Sequence, residues 1–163
     1  MARGIAEATP DFEAVRGPGD GDRATGAFMD ILRSRARQSF GVDLSEQRIC
    51  GETGCKVDFY CRDEETIVEV ALGLPNPNTE FEKDILKALI AQECGFPVKT
   101  LFFISRPGAI AKCEQAGRLA FVHWAAKNHD IQIEIHELPG VARVRNRRRG
   151  PAADFPSRAT PDA

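Results

Sequence analysis

Two short runs, KVDFYCR (Lys56–Arg62) and TIVEVAL (Thr66–Leu72), carry the residues best suited to chemistry. Both are rich in β-branched and aromatic side chains, and only Asp63, Glu64 and Glu65 stand between them, so they predict an antiparallel hairpin. With Arg62–Glu65 as the loop, Cys61 faces Thr66 and the register sets Asp58 directly across from Glu69. On the other face Val57 then meets Val70 and Phe59 meets Val68. That face is wholly apolar, which supports the register independently. Facing carboxylates repel, and a cation would offset the repulsion. Hard divalent ions such as Mg2+ or Mn2+ accept oxygens from one or two carboxylates and complete their shell with substrate phosphates. An ion so placed polarises a phosphodiester and generates hydroxide. Asp58 and Glu69 are therefore the candidate metal ligands. In the alternative reading the pair lies on a solvent face, with Lys56 forming a surface ion pair worth under ~1 kcal/mol.

The elements that would position this pair follow from periodicity. Thr25 to about Ser39 places Phe28, Ile31, Leu32 and Ala36 at helical spacing, and Gly41 stops it. A short strand is expected near Gln47–Cys50. After the hairpin, Thr79 opens a helix with Glu82 three residues on, the pattern of a capping box, and Gly95-Phe96-Pro97 closes it. VKTLFFIS (Val98–Ser105) reads as an interior strand covered on both faces. One long helix from about Ile110 to Lys127 is expected, with Ile110, Cys113, Ala120, Phe121 and Trp124 turned inward. IQIEIHEL then alternates strictly, as a half-exposed edge strand does. The expectation is an α/β fold. Its mixed sheet holds an antiparallel hairpin followed by β-α-β crossovers, with helices on both faces.

An Asp on one hairpin strand and a Glu on the next, between helices, resembles the core of the PD-(D/E)xK nuclease superfamily, the restriction-endonuclease-like fold. The resemblance spans about Thr25–Leu138. Asp58 matches the metal-binding aspartate, and Glu69-Val70-Ala71 matches the (D/E)xK element. It implies Mg2+- or Mn2+-dependent hydrolysis of nucleic acid, DNA in preference to RNA, and a homodimer as one possible assembly. Ala71 stands where the motif has lysine. The hairpin register offers Lys56, which faces Ala71, as a replacement. The helix after the hairpin offers Lys83 or Lys87, whose alternative is an exposed face paired with Glu80 and Asp84. A catalytically silent member of the same fold, serving as a module that binds nucleic acid or protein, is the alternative function.

The whole chain has 163 residues, 42% hydrophobic and 28% charged, which suits a single domain with a substantial core. Residues 1–23 are expected to form a flexible arm, 24–138 the α/β domain and 139–163 a basic, disordered tail. The net charge is −2, but from Val141 onward six arginines face two aspartates. A basic tail on an acidic domain suits a polyanion, and a solvated end without function is the competing reading. No apolar stretch resembles a secretory signal or a membrane span, so a cytoplasmic protein without membrane contact is expected. The five cysteines are expected to be reduced thiols, and the C-x4-C-x5-C spacing of Cys50, Cys55 and Cys61 is too loose for a common zinc knuckle. His123 and His136 read as packing or surface residues. Phosphate-binding glycine loops and the esterase nucleophile elbow are absent.

Overall fold

The structure, a computed structural model, describes residues 1–9, 20–75 and 79–140. The arginine-rich segment from Val141 onward lies outside them. Helix α1 (Ala2–Ala8) and helix α2 (Asp20–Phe40) precede a five-stranded mixed sheet in the order β1-β2-β3-β4-β5. Its strands are β1 (Ser45–Gln47), β2 (Val57–Cys61), β3 (Thr66–Val70), β4 (Thr100–Ser105) and β5 (Gln132–Glu137). The first three are antiparallel neighbours, and β3, β4 and β5 run parallel. Helix α3 (Glu80–Glu93) connects β3 to β4, and helices α4 (Ala109–Cys113) and α5 (Ala116–His129) connect β4 to β5.

The hairpin has the register read from its sequence: Phe59 pairs with Val68, Tyr60 with Ile67 and Cys61 with Thr66. Its loop closes by a bond from the Glu65 amide to the Arg62 carbonyl, at 3.1 Å. The Glu65 carbonyl then accepts from Lys99 and Thr100, which ties the turn to the entry of β4.

Both faces of the sheet are covered, so the apolar core is double. Tyr60, Ile67, Leu101 and Phe103 pack with Phe81, Ile85 and Ala88 of α3 and Ala125 of α5. Phe59, Val70 and Ile104 pack with Phe28, Met29 and Leu32 of α2. The alternation of Phe103 and Ile104 between the two clusters is the period-two signature of a central strand. β5, at the edge, exposes Gln132 and Glu134 and half-buries Ile133 and Ile135.

Four expectations need correction. Within the supposed flexible arm, Ala2–Ala8 is helical and Ile5 is only 1% exposed, packed in the α2 cluster. The short strand lies at Ser45–Gln47, a little before Gln47–Cys50. Thr79 precedes α3 without a side-chain capping bond, and Glu82 instead approaches Arg118 at 3.9 Å. The long helix is two: Gln115 adopts an extended conformation (φ −63°, ψ 142°) and resets the helical phase. Ala120, Phe121 and Trp124 are consequently exposed, Ile110 of α4 is exposed as well, and Cys113, Arg118 and Ala125 face inward. Arg118 is accommodated there by donating to the Leu74 carbonyl at 2.8 Å and lying over the Phe81 ring.

Candidate active site

Where β2 begins and β3 ends, a cleft of about 230 Å³ opens between α2 and α3. Its lining includes Asp58, Glu69, Asp84 and Lys87, with Lys83, Glu80 and Arg33 around them. The strands fix the first two carboxylates relative to each other. The Val70 amide donates to Asp58 Oδ2 at 2.8 Å, and the Asp58 amide donates weakly to Glu69 Oε2 at 3.4 Å. Each carboxylate is thus held by the backbone of the opposite strand.

α3 supplies the remaining charges. Phe81, Ile85 and Ala88 define its inward stripe, and Asp84 falls within that stripe, 3% exposed. One turn later Lys87 donates to Glu69 Oε1 at 2.9 Å. Its Nζ also lies 2.8 Å from Asp84 Oδ1, an ion pair one turn back on the same helix. Glu69 and Asp84 therefore flank one ammonium, and Asp58 adds a third carboxylate to the same cleft.

Electrostatics follow from that imbalance. Glu69 is 2% exposed, and burial, then Asp84 and Asp58, push its pKa up to about 8 against the pull of Lys87. Burial likewise raises Asp84, with Lys87 opposing. Burial would lower Lys87, but Glu69 and Asp84 outweigh it and hold the ammonium charged.

Of the lysines considered from sequence, Lys87 reaches the carboxylates, Lys83 stands exposed on the cleft wall, and Lys56 does neither. Lys56 precedes β2 and donates to Glu46 Oε2 at 3.1 Å. The face it was expected to share with Asp58 is lost because the strand begins only at Val57. Ala71 is 1% exposed among apolar neighbours, so a lysine there would displace packed groups. Asp84 escaped sequence reasoning, although a carboxylate at an apolar-stripe position was a legible signal.

Asp58 and Glu69 fit a hard divalent ion by their chemistry: adjacent oxygen donors in an electron-rich, partly dry cleft. Among the described residues no group of three or more His, Cys, Asp or Glu side chains forms a complete metal-binding set, so ligands beyond the pair would come from water or substrate. Among the cysteines, Cys50 is buried and donates to the Lys87 carbonyl at 3.5 Å. No helix among the described residues is long and apolar enough to cross a membrane.

Compared with known proteins, the chain matches no family model, no curated protein and no solved structure.

Proposed function

We propose that the chain hydrolyses phosphodiester bonds of nucleic acid with the help of a divalent metal ion held by Asp58 and Glu69. The observation that carries this reading is the placement of Lys87, whose ammonium lies 2.9 Å from Glu69 Oε1. It supplies, from a helix, the cation that a (D/E)xK-like element supplies from the strand and that Ala71 cannot.

Mg2+ or Mn2+ would contribute Lewis acidity and a more acidic bound water. The protein's own groups do the rest. The Val70 amide orients Asp58, and Lys87 orients Glu69. With substrate in place, Lys87 can turn from Glu69 toward an attacking water or a phosphate oxygen, where a cation stabilises developing negative charge. Lys83, exposed on the α3 wall, is suited to a flanking phosphate rather than to the reacting one.

A second reading has its own support. With Glu69 raised to about 8 and Lys87 flanked by two carboxylates, the cleft can neutralise itself by holding a proton. That favours a silent module that binds nucleic acid or protein without cutting.

The experiment is to incubate the protein with labelled single-stranded and duplex DNA and RNA in Mg2+, Mn2+ or EDTA, beside Asp58→Ala and Lys87→Met. Metal-dependent cleavage absent from both variants supports catalysis. A metal-induced rise in melting temperature without cleavage supports the silent module. Neither cleavage nor a thermal shift would remove the metal site altogether.

A further inference from the structure

Glu46 has an unusual position. In the β1–β2 ladder Ser45 pairs with Phe59 and Gln47 with Val57, so Glu46 stands at the register of Asp58. Its φ of 52° is left-handed, a conformation that non-glycine residues seldom adopt inside a strand. Strain of this kind persists where the surroundings hold it, and it concentrates at functional sites. Here the carboxylate is held by two cations at once. Oε1 accepts from the Arg33 guanidinium and Oε2 from the Lys56 ammonium at 3.1 Å.

Of the two, Arg33 lines the candidate active site, and Lys56, joined to it through Glu46, lies just outside the lining. Thr25, Met29 and Arg33 recur every four residues on α2 and together line the cleft wall opposite α3. Lys56 lies two residues before Asp58, and Lys83 lines the α3 side. Lys56 and Lys83 are exposed, and Arg33 is half-buried, its side chain 31% exposed. Arg33 on the α2 wall and Lys83 beside Glu80 on the α3 wall thus set cations on both sides of an acidic floor, although Asp30 also approaches Arg33 at 3.9 Å. A floor of carboxylates repels a polyanion, so a strand entering it needs cations on either side to hold its flanking phosphates.

We propose that Glu46 is a resident stand-in for a backbone phosphate, displaced from Arg33 and Lys56 when a nucleic-acid strand crosses the cleft. The inference rests on the reading of the cleft as a nucleic-acid site and adds how the strand is gripped. A carboxylate bridging a guanidinium and an ammonium presents two oxygens, as a phosphodiester does. While the strand is absent, Glu46 keeps both cations paired. The strand must compete with it, which lowers affinity for any polyanion too weakly placed to do so.

The test is fluorescence anisotropy of short labelled DNA and RNA strands, with Ca2+ in place of Mg2+ and salt varied. Glu46→Gln should bind at least about threefold tighter than wild type. Its plot of log affinity against log salt should steepen by roughly one, because a freed cation can neutralise a further phosphate. Glu93→Gln, exposed at the far end of α3, should change neither. Lys56→Gln should weaken binding severalfold and flatten the slope, and it carries the test alone should Glu46→Gln fail to fold. Binding by Glu46→Gln no tighter than by Glu93→Gln, at matched melting temperatures, overturns the proposal. So does Lys56→Gln binding that matches wild type. Normal metal-dependent cleavage alongside either result leaves the catalytic reading standing and removes only this one. Tighter binding by Glu46→Gln without cleavage in any metal sustains the inference and removes catalysis. No binding of any strand overturns both.

Discussion

Lys87 of α3 and Glu69 of β3 meet at 2.9 Å, joining a helix to a strand eighteen residues earlier in the chain. The bond is shielded: Glu69 is essentially buried and the Lys87 side chain is 13% exposed. Breaking such a pair from one side leaves buried charge uncompensated, and this is typically worth several kcal/mol.

Lys87→Met should therefore act twice. We expect it to lower stability above about pH 8, where Glu69 is ionised, by about 3–5 kcal/mol, the range for removing one partner of a buried ion pair, and by less at neutral pH. Any metal-dependent cleavage should fall at least about a hundredfold, as for loss of an electrostatic stabiliser. Lys83→Met and Lys56→Met, lacking the contact with Glu69, should lose much less of the rate. A loss of activity confined to Lys83→Met or Lys56→Met would overturn the assignment of the chemistry to Lys87.

Glu69→Gln and Asp58→Ala should abolish any thermal stabilisation by Mg2+ or Mn2+ and change metal-free stability little, because the glutamine of Glu69→Gln keeps an oxygen for Lys87 to donate to and Asp84 still compensates its charge. Each removes one of the mutually repelling carboxylates of the cleft. A metal-free melting temperature lower by several degrees in both variants would mean that the carboxylates are structural.

The pH dependence has a definite sign. Glu69 has a folded pKa of about 8, above the ordinary value of 4.5, so the folded state holds its proton more tightly than the unfolded state. The slope of stability with pH is then negative between those two values. Metal-free stability should fall as pH rises from about 4.5 to 8, by an amount on the order of a few kcal/mol. Glu69→Gln should flatten that fall in denaturant titrations at several pH values. Metal affinity, which requires the carboxylate, should rise across the same window.

Arg118→Met should destabilise the fold without touching the cleft. It deprives the Leu74 carbonyl of its 2.8 Å donor and removes the cation over Phe81. A loss of about 1–3 kcal/mol is expected from urea unfolding, with metal-induced stabilisation retained.

Sequence carried the hairpin well and the helices less well, for reasons particular to each. Alternation in Asp58–Cys61 and Thr66–Val70, joined by a charged loop, leaves one register that keeps Phe59 opposite Val68. The opposition of Asp58 and Glu69 follows from that alone. Choosing among lysines required the rotational phase of α3. The burial of Asp84 in the Phe81–Ala88 stripe sets that phase and directs Lys87, not Lys83, toward the sheet. The α4–α5 break at Glu114–Gln115 contains neither glycine nor proline, so continuous periodicity placed Phe121 and Trp124 on the wrong side. α1, seven residues long, is too short for a periodic pattern to emerge, and its inward contact rests mainly on Ile5.

That short helix has a consequence for how the chain reaches its native state. Ile5 of α1 and Leu138, just after β5, belong to one buried cluster with Phe28 and Ile104. During synthesis the apolar side of α1 and α2 has no complete partner until the last strand emerges. The cluster is non-local in sequence, and closing it comes late and slowly compared with the hairpin. Until then Phe28 and Ile5 are exposed to any other apolar surface, which makes the incomplete chain the aggregation-prone species. Fusing a bulky partner directly ahead of Ala2 should therefore affect the yield of folded protein more than its final stability.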